Sequence, residues 1–269
     1  MRLDDARGFV LDVNGTLVHR AGEEVHVQPG ARELLQRIRA SGRPLAIFTN
    51  GSHLAPEGFA SGLRAAGLDI ADDEMLTPLR SVQSHLRAQR LEGPVQLFGT
   101  AAAREYLVRC GVNVLDGSSD PRIDAVFVAH ADKVDFTELE RAARAVLAGA
   151  ALLTGSYAPA YAGADGPILS RGAMITAAIA KASSARPVIV GKPSRAALRT
   201  VTEQLGVPAR ELVVIGDDVT MDVALGRMGG ARTILVSSGI SGRIELDAMS
   251  ERRRPHAVVD GVGELLDWL

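Results

Sequence analysis

From residue 8 to residue 259, short apolar runs alternate with amphipathic segments, and this alternation limits the fold more than any other feature of the chain. Runs at 8–13, 44–49, 95–98, 123–129, 151–154, 187–190, 212–215, 233–236 and 257–259 read as strands. Between them, 31–40, 56–66, 79–90, 101–109, 136–147, 171–182 and 194–205 carry helical spacing, as with Leu34, Leu35 and Ile38 in the first. A chain of this order forms an α/β fold, a doubly wound and mainly parallel sheet with helices on both faces. The turn-rich stretch 155–167 reads as a loop, and Arg252-Arg253-Arg254 as a solvated helix end. No repeat, low-complexity tract or linker interrupts the pattern.

In open parallel sheets ligands bind just beyond the carboxyl ends of the strands. The residues that follow each apolar run therefore carry the functional information. Asp12 ends the first run and leads into Val13-Asn14-Gly15-Thr16; in isolation it is equally a turn cap. Thr49-Asn50-Gly51-Ser52 ends the second, a hydroxyl and an amide followed by a glycine that lets backbone N–H groups approach an anion, or else a helix cap. Lys192 stands between a strand and a helix in Val190-Gly191-Lys192-Pro193-Ser194. Only Lys133, Lys181 and Lys192 are lysines among thirty basic residues, so a chain that otherwise selects arginine places a compact point charge there. The surrounding residues do not form a Walker A loop. Asp217, Asp218 and Asp222 follow the run 212–215. Helix capping accounts for one such acid, but three gathered together repel one another, and oxygen-only ligands suit Mg²⁺.

Thirty basic against thirty-two acidic residues leave a net charge of −2, so an anion must be recognised locally and no nucleic acid is expected as a partner. No apolar run approaches the roughly 18 residues of a membrane span, and the first residues lack a signal-peptide core. The expected location is cytoplasmic, without membrane association. Cys110 is alone and the six histidines show no paired spacing, so neither a disulfide framework nor a zinc site is expected.

Taken together, a leading Asp12, Thr49-Asn50, Lys192 and the acidic cluster at four strand ends resemble, in type and order, the haloacid dehalogenase-like hydrolase superfamily. About 140 residues separate Thr49 from Lys192, far more than one crossover helix needs, and the family places large cap domains in that interval. Gly191-Lys192-Pro193 and Gly216-Asp217-Asp218 look most like the branch of nitrophenyl phosphatases, pyridoxal phosphatase and NagD-type enzymes. The resemblance implies a Rossmann-like core at 1–79 and 186–269 with an inserted α/β cap at 80–185.

The resemblance also implies a Mg²⁺-dependent phosphatase in which Asp12 attacks phosphorus and becomes an aspartyl-phosphate. The implied catalytic residues are Asp12, Asn14 and Lys192. Thr49, Asn50, Gly51 and Lys192 would hold the phosphoryl group, with Tyr157 and Tyr161 contacting the rest of the substrate or simply packing the cap. The implied metal set is Asp12, Asn14 through its carbonyl, Asp217, Asp218 and Asp222, of which Asp222 is assigned to orienting Lys192 or a metal-bound water. A small phosphorylated metabolite is the implied partner, and a homodimer through the cap is compatible with it.

The chain departs from the family at Asn14, where an aspartate normally supplies the acid and base. An amide cannot do that work at neutral pH, and losing such a group costs about 10² to 10⁴ in rate. Three readings stay open: a slowed phosphatase, a phosphatase for leaving groups that need no proton (acyl phosphate, phosphoamide, pyrophosphate), and an impaired or engineered form that binds phosphorylated ligands. A receiver-like module phosphorylated on aspartate shares the same residue types, and the long insertion speaks against it.

Overall fold

The computed structural model describes residues 2–21, 24–116, 122–163, 166–237 and 249–269. Six strands form one parallel sheet in the spatial order Ala257–Val259, Arg232–Val236, Leu212–Gly216, Gly8–Leu11, Leu45–Phe48 and Met75–Leu76. Its central strands are buried along their whole length, which is why they read as unbroken apolar runs. Alternate side chains point to opposite faces. Phe9, Leu11, Ile47 and Ile215 join Leu34, Leu35 and Ile38 of the helix Ala31–Ala40 in one core. Val10, Ala46 and Val214 join Ala197, Val201 and Leu205 of the helix Arg195–Leu205 in another. The doubly wound expectation is met.

A second parallel sheet runs Val188–Ile189, Ala151–Thr154, Ala125–Val128, Val95–Phe98. The helices Pro78–Gln89 and Ala101–Arg109 cover one face, where Leu79, Val82 and Leu107 meet Val95, Phe127 and Leu153. Phe136–Leu147 and Arg171–Ser183 cover the other, where Val146 and Ile179 meet Val126, Val128 and Leu152. Two parallel sheets, each with its own buried faces, are not the single-sheet plan of a receiver module.

Four features differ from the sequence reading. The strand Val188–Ile189 pairs with Ala151–Thr154, so the second sheet extends past the boundary expected at 185. The stretch expected as a loop contains Ala160–Gly163, paired antiparallel with Gly166–Leu169; small residues there give no alternating signal. Another hairpin joins Val18–Ala21 to Glu24–Val27. Arg252 lies in a short 3₁₀ turn, Glu251–Arg253, rather than at the end of a longer helix. Among the described residues no helix is long and apolar enough to cross a membrane.

Candidate active site

Register decides what meets beyond the strand ends. Leu11 pairs with both Ile215 and Ile47, so Asp12, Gly216 and Phe48 come level at the carboxyl edge of the first sheet. The Asp12 N–H donates to the Ile215 carbonyl at 2.9 Å and fixes the acid as the next step of the strand. The chain then turns back: Gly15 has φ of 79°, a conformation that costs glycine little, and its N–H donates to the Val18 carbonyl at 2.7 Å. Asn14 sits exposed on this turn.

Lys192 is delivered to the same place from the second sheet. Its ammonium donates to Asp12 Oδ1 at 2.6 Å, to Asp222 Oδ1 at 2.6 Å and to the Phe48 carbonyl at 2.7 Å, which uses all three protons. The side chain is 3% exposed. Its backbone is held as firmly, since Asn50 Nδ2 donates to the Lys192 carbonyl and Asn50 Oδ1 accepts the Lys192 N–H, both at 2.7 Å. The Lys192–Pro193 peptide is cis. Gly191 donates to the Gly155 carbonyl at 3.1 Å, and a Cβ on Gly191 would overlap that carbonyl and come within 2.6 Å of Asn50 Oδ1. The ends of Ala151–Thr154 and Val188–Ile189 thus close directly on the Asn50 loop.

The acids divide by role. Asp222 is buried, and its Oδ2 accepts the Asp218 N–H at 3.2 Å; a side chain on Gly216 would overlap its carboxyl group. Asp218 turns its Oδ1 to the N–H groups of Thr220 and Met221 and to the Thr220 hydroxyl, capping the wide helical turn Val219–Val223. Oxygens of Asp12, Asp217 and Asp222 all lie within 4.8 Å of one another, and Asp218 stands outside that group. Burial raises the pKa of Asp12 and pushes that of Asp222 up to about 7, with the neighbouring acids adding to the effect and Lys192 opposing it. Burial also disfavours the Lys192 ammonium, yet Asp12 and Asp222 outweigh it and hold its pKa above the usual lysine value. One lysine against three carboxylates, two of them buried and Asp12 partly so, leaves the group short of positive charge. A divalent cation with a preference for oxygen, such as Mg²⁺, fits that deficit and that donor set.

The remaining expected residues are placed as follows. Thr49 is buried beside the strand end, and its Oγ1 accepts the Gly51 N–H at 3.1 Å. That N–H is therefore turned inward, not towards an anion. Asn50, expected on the phosphoryl group, spends its amide on the Lys192 backbone and on Met221 Sδ at 3.4 Å, so it positions the lysine. Tyr157 and Tyr161 are exposed at 38% and 47%. Tyr157 lies two residues past Gly155, near the site, whereas Tyr161 belongs to the hairpin strand Ala160–Gly163. Sequence reasoning took Gly191 and Gly216 only as parts of motifs; that neither has room for a side chain is visible only once the Gly155 carbonyl and the Asp222 carboxyl group are in place against them.

A family model described as haloacid dehalogenase-like hydrolase matches residues 9–113, and one described as HAD-hydrolase-like matches 189–265. The ribonucleotide monophosphatase NagD of Escherichia coli K12 is 30% identical over 263 residues, covering 96% of this chain and 98% of that protein. Mouse chronophin is 28% identical, with 99% and 94% covered. The p-nitrophenyl phosphatase structure from Archaeoglobus fulgidus matches with a TM-score of 0.86 at 27% identity, covering 98% of this chain and 100% of that one.

Proposed function

Since this chain belongs to the haloacid dehalogenase-like hydrolase family and is a phosphoric monoester hydrolase of the NagD type, we propose that it dephosphorylates small phosphorylated metabolites through covalent catalysis on Asp12. The observation that carries this reading is the buried contact of Lys192 with Asp12 and Asp222 where the edges of the two sheets meet. Asp12 is the nucleophile: its carboxylate adds to phosphorus as the bond to the leaving oxygen breaks, that oxygen takes its proton from water, and a second water cleaves the acyl phosphate, releasing inorganic phosphate and restoring the carboxylate. Lys192 aims the attacking oxygen and offsets the charge gathering on the phosphoryl group. Asp222 and Asn50 hold Lys192 in that position, and the Thr49 hydroxyl contacts the phosphoryl group.

Asp12, Asp217 and the Asn14 carbonyl would hold Mg²⁺, with Asp222 and Asp218 outside the direct ligands. Bound there, the ion supplies charge compensation between an anionic nucleophile and an anionic substrate.

Asn14 favours a second reading, a protein that binds phosphate esters with little turnover, because its amide has no proton to give the leaving oxygen. Phosphate release from a substrate panel, with and without a chelator, decides between them. Release that stops on chelation supports the enzyme. Metal-dependent ligand binding without release from any substrate, acyl phosphates included, supports the binder.

A further inference from the structure

Two consecutive residues of the wide turn Val219–Val223 reach Lys192 by different routes. Asp222 takes the tip of the side chain, accepting from the ammonium at 2.6 Å. Met221 reaches the backbone, through Asn50. The Asn50 amide makes a closed pair with the Lys192 peptide groups, Oδ1 accepting the N–H and Nδ2 donating to the carbonyl, both at 2.7 Å. Turning that amide over would set donor against donor and acceptor against acceptor, so its orientation is fixed. One proton of Nδ2 is thereby spent on the Lys192 carbonyl. The other goes to Met221 Sδ, 3.4 Å from the nitrogen. On the far side Oδ1 lies so close to Gly191 that a Cβ there would come within 2.6 Å of it, which confines the amide between that glycine and the sulfur.

Resting on the phosphatase reading above, we propose that Met221 is a positioning residue, its thioether holding the Asn50 amide against the Lys192 backbone and thereby fixing where the ammonium meets Asp12. The backbone that carries it supports this. Asp218 Oδ1 accepts the N–H groups of Thr220 and Met221 at 2.6 and 3.2 Å, and the Asp218 carbonyl accepts that of Asp222 at 2.8 Å. Met221 and Asp222 are therefore set as one piece, and one turn of chain holds both ends of the lysine. The residue type supports it as well. Asp12, Asp217 and Asp222 already crowd against a single lysine. A carboxylate at position 221 would hold the amide more strongly but add a fourth negative charge, whereas a thioether accepts a hydrogen bond with no charge at all. Its unbranched chain also adapts to the gap beside the amide.

Two readouts test it, one of which needs no turnover. Met221→Leu keeps the volume and removes the acceptor, a swap that cores tolerate, and Met221→Gln returns an acceptor at similar reach. In Met221→Leu, hydrogen exchange followed by NMR is expected to quicken about threefold at the Lys192 amide, which rests on Asn50 Oδ1, and not at Val214 in the central strand. With nitrophenyl phosphate, kcat is expected to fall about threefold at constant KM, the low end for one neutral hydrogen bond. Met221→Gln restores both. Adding Met221→Leu to Asn50→Ala should lower kcat no further than Asn50→Ala alone, because the sulfur acts only through the amide. The same loss with and without Asn50, or exchange that quickens at Lys192 and Val214 alike, would show a packing role and overturn the proposal. So would unchanged exchange and kcat. If the parent protein releases no phosphate, the phosphatase reading fails and takes this role with it; an active parent with unchanged exchange at Lys192 rejects Met221 alone.

Discussion

Lys192 satisfies three acceptors with three protons, two of them buried carboxylates, and so cannot be removed without leaving those acids facing each other out of water. Breaking one member out of such a group costs about 3–5 kcal/mol. Lys192→Met is expected to lower stability by that order in urea titration and to abolish phosphatase activity. An active, equally stable variant would show that the buried contacts of Lys192 serve neither catalysis nor stability. Its importance was legible in the sequence because lysine is scarce here and stands at a strand end. The work of Asn50 was not: its amide closes on a backbone 142 residues away, and no local pattern records that pairing. Asn14 carries the second residue-scale prediction. Asn14→Asp adds an acid of the same size, and activity on alkyl phosphates is expected to rise by about 10² to 10⁴, with a smaller gain on nitrophenyl phosphate, whose phenolate leaves without a proton. Single-turnover rates on both substrates check this; equal gains contradict the leaving-group argument.

The elements were legible where burial is two-sided and runs are apolar, as at Gly8–Leu11 or Leu212–Gly216. They were not where strands are short and rich in small residues, as in the hairpin Ala160–Gly163 with Gly166–Leu169, or only two residues long, as at Met75–Leu76. Sheet membership of Val188–Ile189 was also hidden, since a two-residue strand with half-exposed side chains carries no mark of its partner. The consequence lies at Gly191, the next turn of chain, where backbone from Gly155 and the amide of Asn50 leave no room for a Cβ. Gly191→Ala forces these segments apart. Overpacking of this kind costs about 1–3 kcal/mol, and the displaced Lys192 is expected to take catalysis down with it. Unchanged kcat and unfolding midpoint in that variant would show that the junction yields freely.

At the scale of the molecule, two parallel sheets present their carboxyl edges to one another, with Asp12, Asp217 and the Thr49 to His53 segment on one side and Lys192, Gly155 and His130 on the other. An ion pair between Glu57 and Arg109 links the helices flanking the same junction. Three carboxylates against one lysine make the apo site a place of stored repulsion, so Mg²⁺ is expected to raise the melting temperature. At a hundredfold excess over its dissociation constant the gain is about 2.7 kcal/mol. Asp217→Asn should remove most of that gain, and a metal effect undiminished in this variant would place the ion elsewhere. The central claim is that Asp12 becomes phosphorylated, and acid-quenched protein after mixing with acetyl phosphate, followed by intact-mass measurement and peptide mapping, tests it most directly. The account predicts one phosphoryl group on the peptide containing Asp12, accumulating because Asn14 cannot activate water, and its absence together with loss of turnover in Asp12→Ala. Phosphate release without any adduct, retained in Asp12→Ala, would contradict it.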